Sequence, residues 1–498
     1  MKEHQQMAYS QEQSVQLSLE QIRQLRRQSG GRARGARIPA LAPQERGERS
    51  PMSHAQERLW FLEQLGLVGG AYNISMVRSL RGRLQIQALE RSLGELVRRH
   101  ESLRTRFVSM HGTAVQAIDP PGGVTLEIRD LSGIDESLRM RKVRDIGREE
   151  VNRPFDLERG PLLRAFLLRL SEQEHVLLLV LHHIVSDGWS LGVLNRELGA
   201  IYNAYVRGEE SPLPELIVQY ADYALWQRKW LEKEVIDEQL RYWKQQLQGA
   251  PPYLQLPADR PRPAVESFNG ALFAFALPAG LTEALRNLAR REGATLFMVL
   301  LAGYQALLSR WTGQEDIVIG APIAGRTHPL IEQLIGFFVN MLALRSDLSG
   351  NPSFRSLLAQ VKETTLGAYA HQDLPFELLV KELRPERDLG RQSLIQMTLA
   401  LQNFPQEDLQ LEGLTWKAID AEHLTTRFDV TLNFFEGAGE LQGLFEYATD
   451  LFEEQTIRRL SEQLCMLLQG AVSDPDCAIE QLPLLPDQER EQLLRQWR

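Results

Sequence analysis

Two adjacent histidines, His182 and His183, close a six-residue apolar run (VLLLVL), and the sequence HHIVSDGWS carries them into Asp187, Gly188, Trp189 and Ser190. An unperturbed imidazole is neutral at cellular pH and can accept a proton or hold a nucleophile by hydrogen bonding. Successive strand residues point to opposite faces. Only one of the two histidines should therefore face a given cleft, and the pair cannot simply chelate one metal. Asp187 is expected to orient the loop by pairing with an arginine, Arg345 or Arg104. Gly188 leaves room for a narrow substrate arm, and Ser190 is a plausible N-cap for the next helix. A single histidine at a strand end is commonly structural; the grouping HHxxxDG sets this one apart.

The elements that would position this loop alternate between strand and helix patterns. Tyr72 to Leu84 reads as a strand and Ile86 to His100 as an amphipathic helix. Thr105 to Ile118 reads as strands, Glu136 to Asn152 as a helix, and Leu162 to Leu170 with Val176 to Leu181 as paired strands. Leu191 to Val206 is helical, and Tyr220 to Leu247 reads as one long helix. After the proline-dense stretch Gly249 to Ala264, which forbids a continuing helix, the second half repeats the texture. Strands are expected at Ala271 to Leu277, Asp316 to Ile319, Ile395 to Leu401 and Val430 to Glu436, with helices at 281–292, 295–311, 353–369 and 453–470. This alternation predicts an α/β fold of two lobes: residues 51–219 with the histidine loop, then 220–485. Residues 1–50 read as a lead-in or docking segment followed by a linker, and 486–498 as the start of a linker to a following domain.

The formal charge of −9 argues against a nucleic-acid-binding role. Two cysteines, Cys465 and Cys477, make no disulfide framework or zinc-site spacing, which fits a cytoplasmic setting. No apolar run approaches the roughly 20 residues of a membrane span, so no membrane partner is expected.

HHIVSDG resembles the active-site motif of nonribosomal peptide synthetase condensation domains, relatives of chloramphenicol acetyltransferase. Six further segments resemble motifs of that family in its order: SHAQERLWFL, RHESLRTRF, YADYALW, IGFFVNMLALR, HQDLPFELLV and RDLGRQSL. Met341 stands where the family usually has threonine and Gly390 where serine is common. The resemblance implies two chloramphenicol acetyltransferase-like lobes in a V-shaped pseudo-dimer with a tunnel between them. An upstream peptidyl carrier protein would bring an acyl or peptidyl thioester from one end, and a downstream carrier an aminoacyl thioester from the other. Both would arrive on phosphopantetheine arms, the domain binding no cofactor or metal itself, with an adenylation domain adjacent and the excised domain monomeric.

The same resemblance implies an amide-forming acyltransferase centred on His183, which would accept a proton from the attacking amine or position it. His182, Asp187 and Gly188 complete the motif. Trp189, Asn340 and Ser393 are expected in the substrate tunnel, and Arg58, Arg99, Arg104 and Arg345 as structural support. His100 beside Glu101, and His371, are expected to be structural. GWSLGVL and TTRFDVTLNFFE resemble the subtype joining an L-configured donor to an L-acceptor. A starter domain installing a fatty acyl group, or a non-catalytic recruitment domain of the same fold, is the alternative.

Overall fold

The strand that delivers the histidines is apolar on both faces, so it must lie inside a sheet covered on both sides. The computed structural model describes residues 39–485, except 48, 67–68, 111, 384–389, 403–409, 420–424 and 438. Residues 1–38 of the expected lead-in or docking segment and the C-terminal linker start (486–498) lie outside the described residues. In the first lobe the strands are β1 (Arg49–Pro51), β2 (Asn73–Gly82), β3 (Thr105–Met110), β4 (Thr113–Ile118), β5 (Leu126–Asp130), β6 (Leu163–Arg169) and β7 (Glu174–His182). Its helices are α1 (His54–Gln64), α2 (Ile86–Arg99), α3 (Glu136–Asn152) and α4 (Gly188–Val206). Two helices, α5 (Tyr220–Trp230) and α6 (Lys233–Gln246), follow in place of the single long helix expected; α5 ends at Leu231, whose ψ of 60° leaves the helical range.

The second lobe runs β8 (Gly270–Leu277), α7 (Ala279–Arg291), α8 (Leu296–Thr312), β9 (Asp316–Ile323), α9 (Pro329–Glu332), β10 (Asn340–Asp347), α10 (Phe354–Ala370) and α11 (Phe376–Leu383). It ends with β11 (Met397–Gln402), β12 (Leu414–Ala418), β13 (Val430–Glu436), β14 (Leu441–Ala448) and α12 (Glu454–Ser473). The main sheets are ordered β12-β2-β7-β6-β5 and β10-β9-β11-β13-β14-β8, with a small sheet β1-β4-β3 beside the first. Sequence reading missed β1, β5, β10, β12 and β14. It also assigned all of 220–485 to the second lobe, whereas β12 pairs antiparallel with β2 and closes the edge of the first lobe's sheet.

Side-chain alternation sets the layers. Leu177, Leu179 and Leu181 of β7 pack with Leu89 and Leu93 of α2 and Leu194 and Leu198 of α4. Val176, Leu178 and Val180 face Val143 and Ile146 of α3 and Leu59 of α1. In the second lobe α8 is buried from Leu296 to Leu308, which explains its lack of an apolar stripe. The expected linker is held against the fold at two points: Leu41 is buried beside Tyr223 and Trp226, and Gln44 N–H donates to Asp222 Oδ1 at 2.9 Å. No single helix among the described residues is long and apolar enough to cross a membrane.

Candidate active site

The strand β7 ends at His182, and His183 opens a short 3₁₀ turn through Val185. The turn separates the two rings. His182 Nδ1 accepts from Ile184 N–H at 3.1 Å, so its proton sits on Nε2 and is donated to Glu63 Oε1 of α1 at 3.0 Å. His183 is fixed the opposite way: Nδ1–H donates to the Ser186 carbonyl at 2.7 Å, which leaves the Nε2 lone pair unclaimed by that bond. His183 retains 7% of its surface accessible, whereas Ile184 and Val185 retain none. The Phe337 ring packs edge-on against it, centroids 4.8 Å apart. Burial, reinforced by the nearby Arg427 cation, pulls the imidazole pKa down to about 3 against the opposing pull of Asp187. The ring is a neutral hydrogen-bond acceptor across the physiological range.

Asp187 is fully buried and N-caps α4, its Oδ1 accepting from Ser190 N–H at 2.8 Å; the cap is Asp187, not Ser190. Its arginine partner is neither Arg345 nor Arg104 but Arg326, with Nη2 3.0 Å from Oδ1 and both side chains buried. Oδ2 accepts from Phe338 N–H at 3.0 Å. Ser190 Oγ accepts from Gly336 N–H at 3.1 Å and donates to the Gly336 carbonyl at 2.9 Å. Tyr220 Oη adds a bond to the Phe337 carbonyl. The loop after His183 therefore clamps residues 336–338 from the second lobe, and this clamp sets Phe337 against the imidazole. A Cβ on Gly336 would fall 2.1 Å from Tyr220 Cδ2. Gly336→Ala is accordingly expected to cost about 1–3 kcal/mol through overpacking, read as a lower denaturant midpoint at unchanged m-value.

The other expected residues scatter. Gly188 is exposed at the first turn of α4. Trp189 donates Nε1–H to the Glu332 carbonyl at 2.9 Å and lines a cavity of about 460 Å³ with Arg99 and Glu197. Asn340 spends its amide on backbone, donating to the Gln372 and Leu374 carbonyls and accepting from Phe376 N–H at 2.9 Å. Ser393 is half-buried on the approach to β11 and makes no hydrogen bond to the histidine loop among the described residues. Arg345 pairs with Asp316 and Arg104 bonds the Asp119 carbonyl. Arg58 reaches Glu377 of α11 at 3.2 Å, joining the lobes. His100 pairs with Glu197 rather than with adjacent Glu101, at 2.7 Å, in a buried cluster with Arg99. His371 stacks on Tyr242 at 3.9 Å.

Sequence reasoning missed Arg326, Glu63 and Arg427 as neighbours of the motif, and Glu197 as the partner of His100. For Arg326 a signal exists: Gly325, after the apolar run of β9, takes φ 65°, and a Cβ there would meet the Phe338 carbonyl at 2.0 Å. A glycine demanded by so close an approach marks the turn that sends Arg326 inward.

The family model for the condensation domain matches residues 47–494. This chain belongs to that family. The domain is 49% identical to part of a linear gramicidin synthase protein of Brevibacillus parabrevis, over 93% of this chain and 6% of that protein. It is 44% identical to phosphinothricin tripeptide synthetase PhsC of Streptomyces viridochromogenes, over 87% of this chain and 40% of that protein. The chain thus spans less than a tenth of the gramicidin synthase proteins it matches. Among solved structures, the X-domain in complex with OxyB from teicoplanin biosynthesis superposes with a TM-score of 0.83 at 30% identity, covering 91% of this chain and 99% of that one. The first condensation domain of the calcium-dependent antibiotic synthetase gives 0.70 at 23% identity, covering 88% and 99%, a likeness of fold. The condensation domain is a mixed α/β protein of two chloramphenicol acetyltransferase-like lobes.

Proposed function

We propose that this condensation domain forms an amide bond between a donor acyl or peptidyl thioester on an upstream carrier protein and the amine of an aminoacyl thioester on a downstream carrier. The observation that carries the reading is the tautomer of His183: Nδ1–H is committed to the Ser186 carbonyl, so Nε2 presents a lone pair from a ring with residual exposure. The acceptor amine attacks the donor carbonyl, a C–N bond forms, the C–S bond breaks, and the amine's surplus proton ends on the departing sulfur. An imidazole of such low proton affinity is a poor resting place for that proton. Its contribution is to accept a hydrogen bond from the amine N–H and aim its lone pair, an orientation effect that tethered reactants exploit. The phosphopantetheine arms belong to the carriers, and the adenylation domain of the same synthetase supplies the loaded acceptor. The intact loop favours catalysis over the recruitment reading. The likeness of GWSLGVL and TTRFDVTLNFFE to one subtype favours an L-donor and L-acceptor over a fatty acyl starter.

The test is a two-carrier assay with one loaded aminoacyl donor and one acceptor, scored for the dipeptidyl product. Absence of product with folded wild-type protein and loaded carriers overturns the reading. The same assay yields a pH prediction. Since His183 is neutral down to about pH 3, the acid limb of the rate should be that of the acceptor amine, falling about tenfold per pH unit below its pKa. An acceptor with a less basic amine should shift the limb by the difference in amine pKa; a limb that stays fixed would assign it to the enzyme.

A further inference from the structure

The helix α2 gives way at His100, whose extended backbone (φ −103°, ψ 102°) turns the chain, and a short 3₁₀ turn from Glu101 to Arg104 follows. This turn brings two buried side chains, His100 and Ser102, onto one residue of the second lobe. His100 Nδ1 accepts from Ile335 N–H at 3.3 Å, and Ser102 Oγ donates to the Ile335 carbonyl at 2.7 Å. Both backbone groups of Ile335 are thereby satisfied, as burial demands, and its side chain sits in the first-lobe core with Leu93 and Leu194. The imidazole can accept there because its proton is on the other nitrogen. Nε2–H donates to Glu197 Oε2 of α4 at 2.7 Å, and Arg99 Nε reaches the same oxygen at 2.9 Å. Burial also draws the His100 pKa below its usual value, against the opposing pull of Glu197, so the ring keeps its lone pair.

Ile335 opens the stretch that ends at Phe338. Gly336 and Phe338 are held by Ser190 and Asp187, which follow His183 on its own loop and helix and so move with it. His100 and Ser102 stand outside that loop. They fix the start of the stretch to the body of the first lobe, two residues before the ring that packs against His183. We propose that His100 is a positioning residue for the reaction, setting Phe337 against His183 through the hydrogen bond it accepts from Ile335. This rests on the function proposed above. Glu197 gives the arrangement its direction: by claiming Nε2–H it fixes the tautomer whose lone pair faces the second lobe. Without an acceptor at that place the buried Ile335 N–H is left unpaired, a costly state that the backbone relieves by moving. The shift is passed along the chain to Phe337, and the imidazole loses the wall that holds its aim on the amine.

The experiment compares wild type, His100→Leu, His100→Asn and His100→Gln in the two-carrier assay and by hydrogen exchange at residues 335–338. Asparagine branches at the same carbon as histidine and offers an acceptor oxygen near the Nδ1 position; glutamine reaches Glu197 but offers nothing at Nδ1. His100→Leu and His100→Gln should lose about tenfold in kcat with KM within about twofold, and His100→Asn should recover most of the loss. Exchange of the Ile335 amide should quicken by about tenfold in the first two and stay near the wild-type rate in His100→Asn. A wild-type kcat or an unaltered Ile335 exchange rate in folded His100→Leu overturns the proposal. Equal losses in His100→Asn and His100→Gln also overturn it, because they would leave the ring a structural part only. If His100→Leu does not fold, the comparison of His100→Asn with His100→Gln decides. If wild-type protein makes no amide at all, the function proposed above fails while the exchange rates still read the hold on Ile335.

Discussion

His183→Ala is expected to slow amide formation by about 10²-fold or more, through loss of the aim it gives the tethered amine, while the protein stays folded. The ring's structural ties are one hydrogen bond to Ser186 and one edge contact with Phe337. Their loss should cost about 0.5–3 kcal/mol, the usual range for a single substitution, and leave a cooperative transition. The activity loss should appear in kcat more than in KM, since in the proposed reaction the amine meets Nε2 only at the reacting centre. A rate within a few-fold of wild type in the two-carrier assay would remove His183 from the mechanism. The same substitution at His182 should act differently, because that ring is spent on Glu63 and the Ile184 amide.

The largest effect on stability is expected from Arg326→Ala. Its guanidinium serves Asp187, Ser190 Oγ and the Ile331 and Leu334 carbonyls, and lies 4.2 Å from the Phe338 ring centroid. Removing it strands a fully buried carboxylate. Breaking one side of a buried pair typically costs about 3–5 kcal/mol, a large part of the 5–15 kcal/mol that holds a domain folded. Asp187 Oδ2 also holds the Phe338 amide, so residues 336–338 should loosen and Phe337 should leave the imidazole, lowering kcat even where folding survives. Denaturant unfolding of Arg326→Ala, Asp187→Leu and the double variant checks this. The double variant should be less unstable than the sum of the singles, because the second change removes the stranded charge. A cost below 1 kcal/mol for Arg326→Ala would show that the pair is dispensable.

Most of the two-lobe architecture was legible because periodicity reports burial. The all-apolar β7 and the stripe of α2 announce themselves, and HHxxxDG with six accompanying motifs identified the family. The misses have common physical causes. β12 and β14 mix apolar and polar residues at sheet positions whose partners lie far away in sequence, so pairing decides them rather than pattern. The break between α5 and α6 carries no proline or glycine. Above all, the partner of Asp187 lies 139 residues downstream. A one-dimensional reading offers every arginine as a candidate, and Arg326 is distinguished only by the turn at Gly325.

The antiparallel pairing of Leu414–Ala418 with the edge at Arg78–Gly82 has a consequence for recombining such proteins. A chimaera joined between residues 219 and 220 imports, along with its new rear half, a foreign stave for the front half's sheet. Exchange is therefore not modular at that seam. The residues that must be matched across it include Trp416 and Arg78, whose guanidinium lies 5.0 Å from the indole, because a poor fit there frays the half of β2 that lies against Glu174–Leu177, the start of the strand that carries the histidines.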